Sequence, residues 1–233
     1  MRAHLSARAT AVGSTALLGM GLVVAPAPAA APSVLTPTAS ASPASCQTTV
    51  PGLAKKYQPK AATKQVVVAA GDGWDKSWST VTRWQKSGKC WTKVGSVRAR
   101  NGANGWHKHP WDGSLYSPVG RYGLTDAGGK WKNPGTKMRY WRNKYGYYHP
   151  NPNIFGYVIA VNFNRRAGHS PEDNYRPNPK IPDGGIWIHV WRDRPTRGCV
   201  SMSAANMRTL LRWLKPKKKP VIVMGPASEL ATG

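Results

Sequence analysis

Residues 184–202 read GGIWIHVWRDRPTRGCVSM. The first half, 184–191, alternates and is rich in Ile, Val and Trp, the pattern of a mostly buried strand, with His189 near its end. A polar loop over 192–197, broken by Pro195, then delivers Thr196, Arg197, Gly198 and Cys199 ten positions after the histidine. A thiol nucleophile needs such a neighbour, because the thiolate is the reactive species and an imidazole can generate or stabilise it. The bland alternative is a small buried core cysteine. The Gly-Cys loop and the nearby His189 argue against it.

Working outward, the 233 residues leave room for one domain of ordinary size. The formal charge is +25, and the basic residues are scattered along the chain. Such a field favours a polyanionic neighbour: nucleic acid, anionic lipid or the acidic polymers of a cell wall. The N-terminus narrows the choice. Arg2 and Arg8 precede an apolar run over 9–25 and then a Pro, Ala and Ser-rich stretch, the pattern of a secretory signal peptide over 1–41. Small-residue cleavage sites end at Ala31 and at Ala41, and composition does not separate them. The run is short for a membrane span and is diluted by Gly13, Ser14 and Thr15, so no stable membrane insertion is expected after cleavage. Export excludes nucleic acid and leaves anionic cell-wall polymers. Without the leader arginines the remainder still carries about +23.

Three cysteines in an exported chain form an odd set. The preferred pairing is Cys46 with Cys90, which ties the N-terminal arm to the domain and leaves Cys199 free. Cys46 with Cys199, Cys90 with Cys199, and no bridge at all stay open.

Residues 42–64 lack periodicity and read as an arm or linker. Strands are expected over 65–70, over 78–85 turning through 86–89 into 90–94, over 157–164 and over 221–224. The 157–164 strand should pair with the strand carrying His189. Between them, residues 165–182 form a loop long enough to cover a cleft. After Cys199, Ser203 reads as an N-cap, and Met207, Leu210, Leu211 and Leu214 have the spacing of an amphipathic helix. Arg208, Arg212 and Lys215 read as its solvated side. His107 and His109 stand two apart, but no Cys or acidic partner set stands at ligand spacing. No metal and no cofactor is expected.

The order strand-His, loop, Thr-x-Gly-Cys-Val, Ser, amphipathic helix and Pro-Val-Ile-Val strand resembles the L,D-transpeptidase, or YkuD, catalytic domain. Asp112-Gly113, Ser117-Pro118-Val119-Gly120 and Tyr122 resemble a second family run, and Arg100-Asn101-Gly102 with Asn104-Gly105 a third. The resemblance covers about residues 65–225, with 226–233 as a tail. It implies a mainly β, YkuD-like sandwich or barrel with one amphipathic helix after the catalytic cysteine. The chain departs from the common Ser/Thr-His-Gly-Cys motif at Arg197, and its loop after His189 is short.

The resemblance further implies acyl transfer on peptidoglycan stem peptides in the cell envelope. Cys199 would be the nucleophile and His189 its base. The Val190 carbonyl would orient the imidazole, and the Gly198 and Cys199 N–H groups would form the oxyanion hole. Arg197 and Thr196 would contact substrate, Arg197 by holding a carboxylate or lowering the thiol pKa. Transfer to a diaminopimelate amine would give a 3-3 cross-link; transfer to water would make a carboxypeptidase or amidase. Sortases and NlpC/P60 or papain-like enzymes place cysteine and histidine in other arrangements along the chain. The non-enzymatic alternative is a basic wall-binding module whose 11 tryptophans stack on sugars, although most of them alternate along strands.

Overall fold

A computed structural model describes residues 46–147, 153–190 and 194–233. The expected leader over 1–41 lies outside the described residues, as do Trp191 and residues 192–193. The strands are β1 (Gln65–Gly71), β2 (Trp78–Ser87), β3 (Cys90–Arg100), β4 (Trp106–His107), β5 (Ser117–Pro118) and β6 (Gly120–Gly129). They continue with β7 (Arg139–Arg142), β8 (Val158–Val161), β9 (Trp187–Val190), β10 (Val200–Met202) and β11 (Val221–Pro226). Helices α1 (Ala204–Trp213) and α2 (Ala227–Thr232) follow β10 and β11.

Nine strands make one sheet in the order β11-β1-β2-β3-β10-β9-β8-β6-β7. Because β11 pairs with β1 on one side and with β6 on the other, the sheet closes into a barrel. Closure covers both edges of β11, while β7 stays paired with β6 alone. The architecture is mainly β with an amphipathic helix after Cys199, as the sequence leads one to expect.

The hairpin is longer than its alternation suggests. β3 runs on to Arg100, and a register shift at Arg83/Trp84 absorbs the mismatch. Its buried face carries Ser79, Val81 and Ala99. Trp78 lies on the opposite face, half-buried under the guanidinium groups of Arg98 and Arg100, 5.0 and 3.4 Å from its ring centre. β8 pairs antiparallel with β9, as expected, but all four of its residues are fully buried, so both faces of the sheet are covered there.

α1 starts where Ser203 Oγ accepts the Asn206 N–H at 3.2 Å. It buries Met207, Leu210 and Leu211, and Leu214 is buried at its C-cap. Each such side chain contributes about 1.5–3 kcal/mol when fully buried. The face of β9 and β10 bearing Ile188, Val190, Val200 and Met202 is buried with them in the apolar core. Alternation then turns His189 and Ser201 to the other face.

The arm is docked. Val50, Leu53 and Tyr57 are buried, the Ala54 N–H donates to the Leu230 carbonyl of α2 at 2.7 Å, and Tyr57 Oη donates to Glu229 at 2.7 Å. A disulfide joins Cys46 to Cys90, and the Trp91 N–H donates to the Gln47 carbonyl beside it. The stretch read as a tail thus holds a short helix against the arm. Neither segment has a periodic pattern long enough to announce this contact.

Candidate active site

β9 and β10 run parallel, with Val200 opposite Ile188, Ser201 opposite His189 and Met202 opposite Val190. That register sets Cys199 beside Trp187, whose N–H points at Sγ at 3.4 Å. His189 lies one side-chain step further along the same face, about 6–7 Å by strand geometry. Both line one cavity of about 280 Å³, together with Ile154, Phe155, Arg194, Pro195, Thr196, Arg197 and Ser201. The short loop after His189 therefore does bring the thiol and the imidazole to one chamber.

The imidazole is held from two sides. Its Nδ1 lies 2.9 Å from the Val190 carbonyl, and a carbonyl only accepts, so Nδ1 carries the proton and Nε2 is the basic nitrogen. The Phe155 ring packs edge-on at 5.0 Å. Phe155 and Ile154 form a wall that the sequence reading misses, because no motif or period marks the stretch before β8.

The loop that presents Cys199 is fixed by small hydroxyls and backbone bonds. Ser117 Oγ accepts the Gly102 N–H at 2.9 Å and donates to the Gly198 carbonyl at 2.7 Å. Thr196 exchanges backbone bonds with Asn101 and Ala103, both 2.9 Å. Its hydroxyl donates to the Cys199 carbonyl at 2.5 Å and accepts the Gly198 N–H at 3.2 Å. Thr196 thus lines the cavity while its hydroxyl serves the loop. Of the two N–H groups expected in the oxyanion hole, that of Gly198 is turned toward the Thr196 hydroxyl. Gly198 adopts φ +127°, and a Cβ there would stand 2.8 Å from the Tyr116 carbonyl oxygen, so the turn requires glycine.

Burial pushes the Cys199 thiol up to about 11, reinforced by the negative charge of Asp183 and opposed by the Trp187 N–H. Asp183 is itself raised, first by burial and then by Asp112. At neutral pH the resting sulfur is therefore a protonated thiol, and a base must remove its proton before attack. Arg197 and Arg194 are exposed at the cavity rim, and no carboxylate lines the chamber among the described residues. His107 packs against Trp111 and Tyr116, and its Nδ1 accepts the His109 N–H at 3.0 Å; His109 is exposed. No group of three metal-ligating side chains occurs among the described residues.

A thiol and an oriented imidazole on one chamber are the groups that a cysteine-dependent acyl-transfer enzyme uses. Comparison with known proteins agrees with that class. The model of the YkuD L,D-transpeptidase catalytic domain matches residues 68–223, and the chain belongs to this family. The family is that of L,D-transpeptidase catalytic domains. No curated protein matches the chain. A solved structure of Bd1075 from Bdellovibrio bacteriovorus is similar at 17% identity, with a TM-score of 0.44. The similarity covers 78% of this chain and 58% of that one.

Proposed function

We propose that the chain is an exported cysteine acyltransferase of the cell envelope that cleaves the diaminopimelate-D-Ala bond of peptidoglycan stem peptides and forms 3-3 cross-links. The observation that carries the reading is the shared chamber of Cys199 and His189, with Nδ1 of the imidazole committed to the Val190 carbonyl. His189 Nε2 takes the thiol proton as Sγ attacks the carbonyl carbon. The Cys199 N–H, with Gly198 assisting if its bond to Thr196 opens, stabilises the oxyanion. The C–N bond then breaks, the leaving amine takes the proton back from His189, and a thioester remains on Cys199. Attack by the side-chain amine of a second stem releases the thiol and forms the cross-link; attack by water yields a shortened stem.

Arg194 and Arg197 at the rim attract the carboxylates of the stem, and the charge of about +23 that remains without the leader holds the protein near anionic wall polymers. Export is supported by the leader pattern and by the Cys46–Cys90 disulfide. Among the described residues no helix is long and apolar enough to cross a membrane.

The test is to incubate the protein with a defined tetrapeptide stem and to separate dimer, tripeptide and covalent adduct by mass. Wild type is expected to show a thioester adduct on Cys199 and a dimer product. Cys199→Ala is expected to show neither while keeping its melting temperature. Turnover by Cys199→Ala at the wild-type rate would sink the mechanism, and tripeptide without dimer would convert the transferase into a hydrolase.

A further inference from the structure

Ser201 is 1% exposed, lies opposite His189 across the β9–β10 pairing and lines the same chamber as Cys199. Its Oγ nevertheless makes no hydrogen bond to any described residue. A buried hydroxyl without a partner is costly, and protein interiors rarely leave one so. Ser201 lines the cavity in which the reaction is placed, so a bound molecule that draws the covered hydroxyl round toward the chamber can supply the missing partner.

The strand geometry says which part of that molecule. If the acyl carbon sits at Sγ, beside Trp187, the leaving nitrogen must lie toward His189, which protonates it. Ser201 is level with His189, so whatever is attached to the leaving nitrogen lies against Ser201. The surroundings favour an anion there. Arg194 and Arg197 stand at the rim, and Arg100 follows Ser201 in the next strand on the same face. The Arg100 guanidinium is stacked 3.4 Å over Trp78 and its buried Nε also has no partner.

We infer that Ser201 is the specificity-determining contact for the leaving side of the donor, its hydroxyl donating to the carboxylate of the residue that is released. The inference rests on the acyl-transfer reading above. No bond to Ser201 forms or breaks; it selects donors that end in a free carboxylate over those that continue or are capped. This also ranks the two kinds of cation. Arg194 and Arg197, being exposed, draw the donor in, whereas Ser201 reads its end.

The experiment measures kcat/KM for two donors that differ only in ending as a carboxylate or as a carboxamide, with wild type, Ser201→Ala and Ser201→Thr. Alkylation of Cys199 by iodoacetamide reports in each variant whether the thiol and its surroundings are intact. Wild type is expected to prefer the carboxylate donor. Ser201→Ala, still alkylated, should lose about tenfold of that preference, mostly through KM, and Ser201→Thr should keep it. A preference that survives intact in Ser201→Ala, or a variant that slows both donors equally, overturns the inference. Wild type that is alkylated yet cleaves neither donor overturns the acyl-transfer reading itself, and this inference with it.

Discussion

The reactive chamber and the charged staples of the scaffold are built on opposite principles. Among the described residues the chamber is lined by an imidazole, a thiol, hydroxyls, apolar side chains and two arginines, with no carboxylate. The chain has only nine acids, and several of those described close distant parts of the fold. Asp126 pairs with Arg165 at 3.0 Å, both side chains almost fully buried. Glu172 accepts the Tyr147 N–H at 2.5 Å and an Asn143 amide hydrogen at 3.0 Å. Glu229 gathers Lys56, Lys108 and Tyr57 onto one oxygen. The difference teaches that in so basic a chain most described carboxylates serve as anchors, while Asp183 acts on the Cys199 thiol from outside the chamber lining. Substitutions on the two sides should therefore separate activity from stability.

The largest effect should come from His189. His189→Ala is expected to lower acyl transfer by about 10⁴-fold or more, since a thiol and its base act as a unit, with little change in melting temperature. Burial holds the thiol at about 11 with His189 in place, so its proton must be taken by a base. Iodoacetamide labelling of Cys199 near neutral pH should therefore be slower in the variant than in wild type, and the gap should close as pH rises toward 11. Equal pH profiles for the two proteins would remove His189 from the role of base.

The same contrast explains what was legible in the sequence. The chamber side was, because residues 184–202 carry it almost entire. A period of two puts His189 and Cys199 within reach, and the carbonyl after His189 is fixed by chain order. The staples were not. Arg165 and Asp126 lie 39 residues apart, and Glu229 lies 172 residues from Tyr57. No local period or motif pairs such residues, because the β6–β8 pairing brings Arg165 to Asp126 and the β1–β11 pairing brings the arm to α2. The loop over 165–182 was expected as a cleft cover from its length alone; its anchoring depends on Arg165, which also donates to the carbonyls of His169 and Ser170. Phe155 and Ser201 fall between the two cases. Ser201 lies inside the motif, but only the β9–β10 register shows that it faces the chamber, and Phe155 is placed there only by the fold.

Breaking a staple gives the second largest effect. Arg165→Leu removes the guanidinium that faces Asp126 and leaves a buried carboxylate uncompensated, which should cost about 3–5 kcal/mol in urea unfolding. Asp126→Leu combined with Arg165→Leu should recover part of that loss, because no charge then remains buried. At urea concentrations where both variants stay folded, Cys199 should alkylate as in wild type. A slow-labelling folded variant would mean that the staple also shapes the chamber, and the separation of the two regions would fail.

The smallest effect, and the one with a sign in pH, belongs to Glu229. The Tyr57 hydroxyl bond, with Lys56 and Lys108 adding to it, holds its carboxyl at about 2, below the ordinary value of 4.5. A carboxyl depressed on folding adds stability that is fully present above pH 4.5 and is lost as pH falls through about 2. The side chain is only 10% exposed, but the two lysines are about half exposed, so solvent screens their share. Glu229→Gln should therefore cost about 1–2 kcal/mol at pH 7. Unfolding curves of the two proteins, taken stepwise from pH 7 to pH 2, should converge as the wild-type carboxylate gains its proton. A gap that persists unchanged at pH 2 would show that the bonds to Glu229 act through shape alone, and the charged staple would be reduced to an ordinary contact.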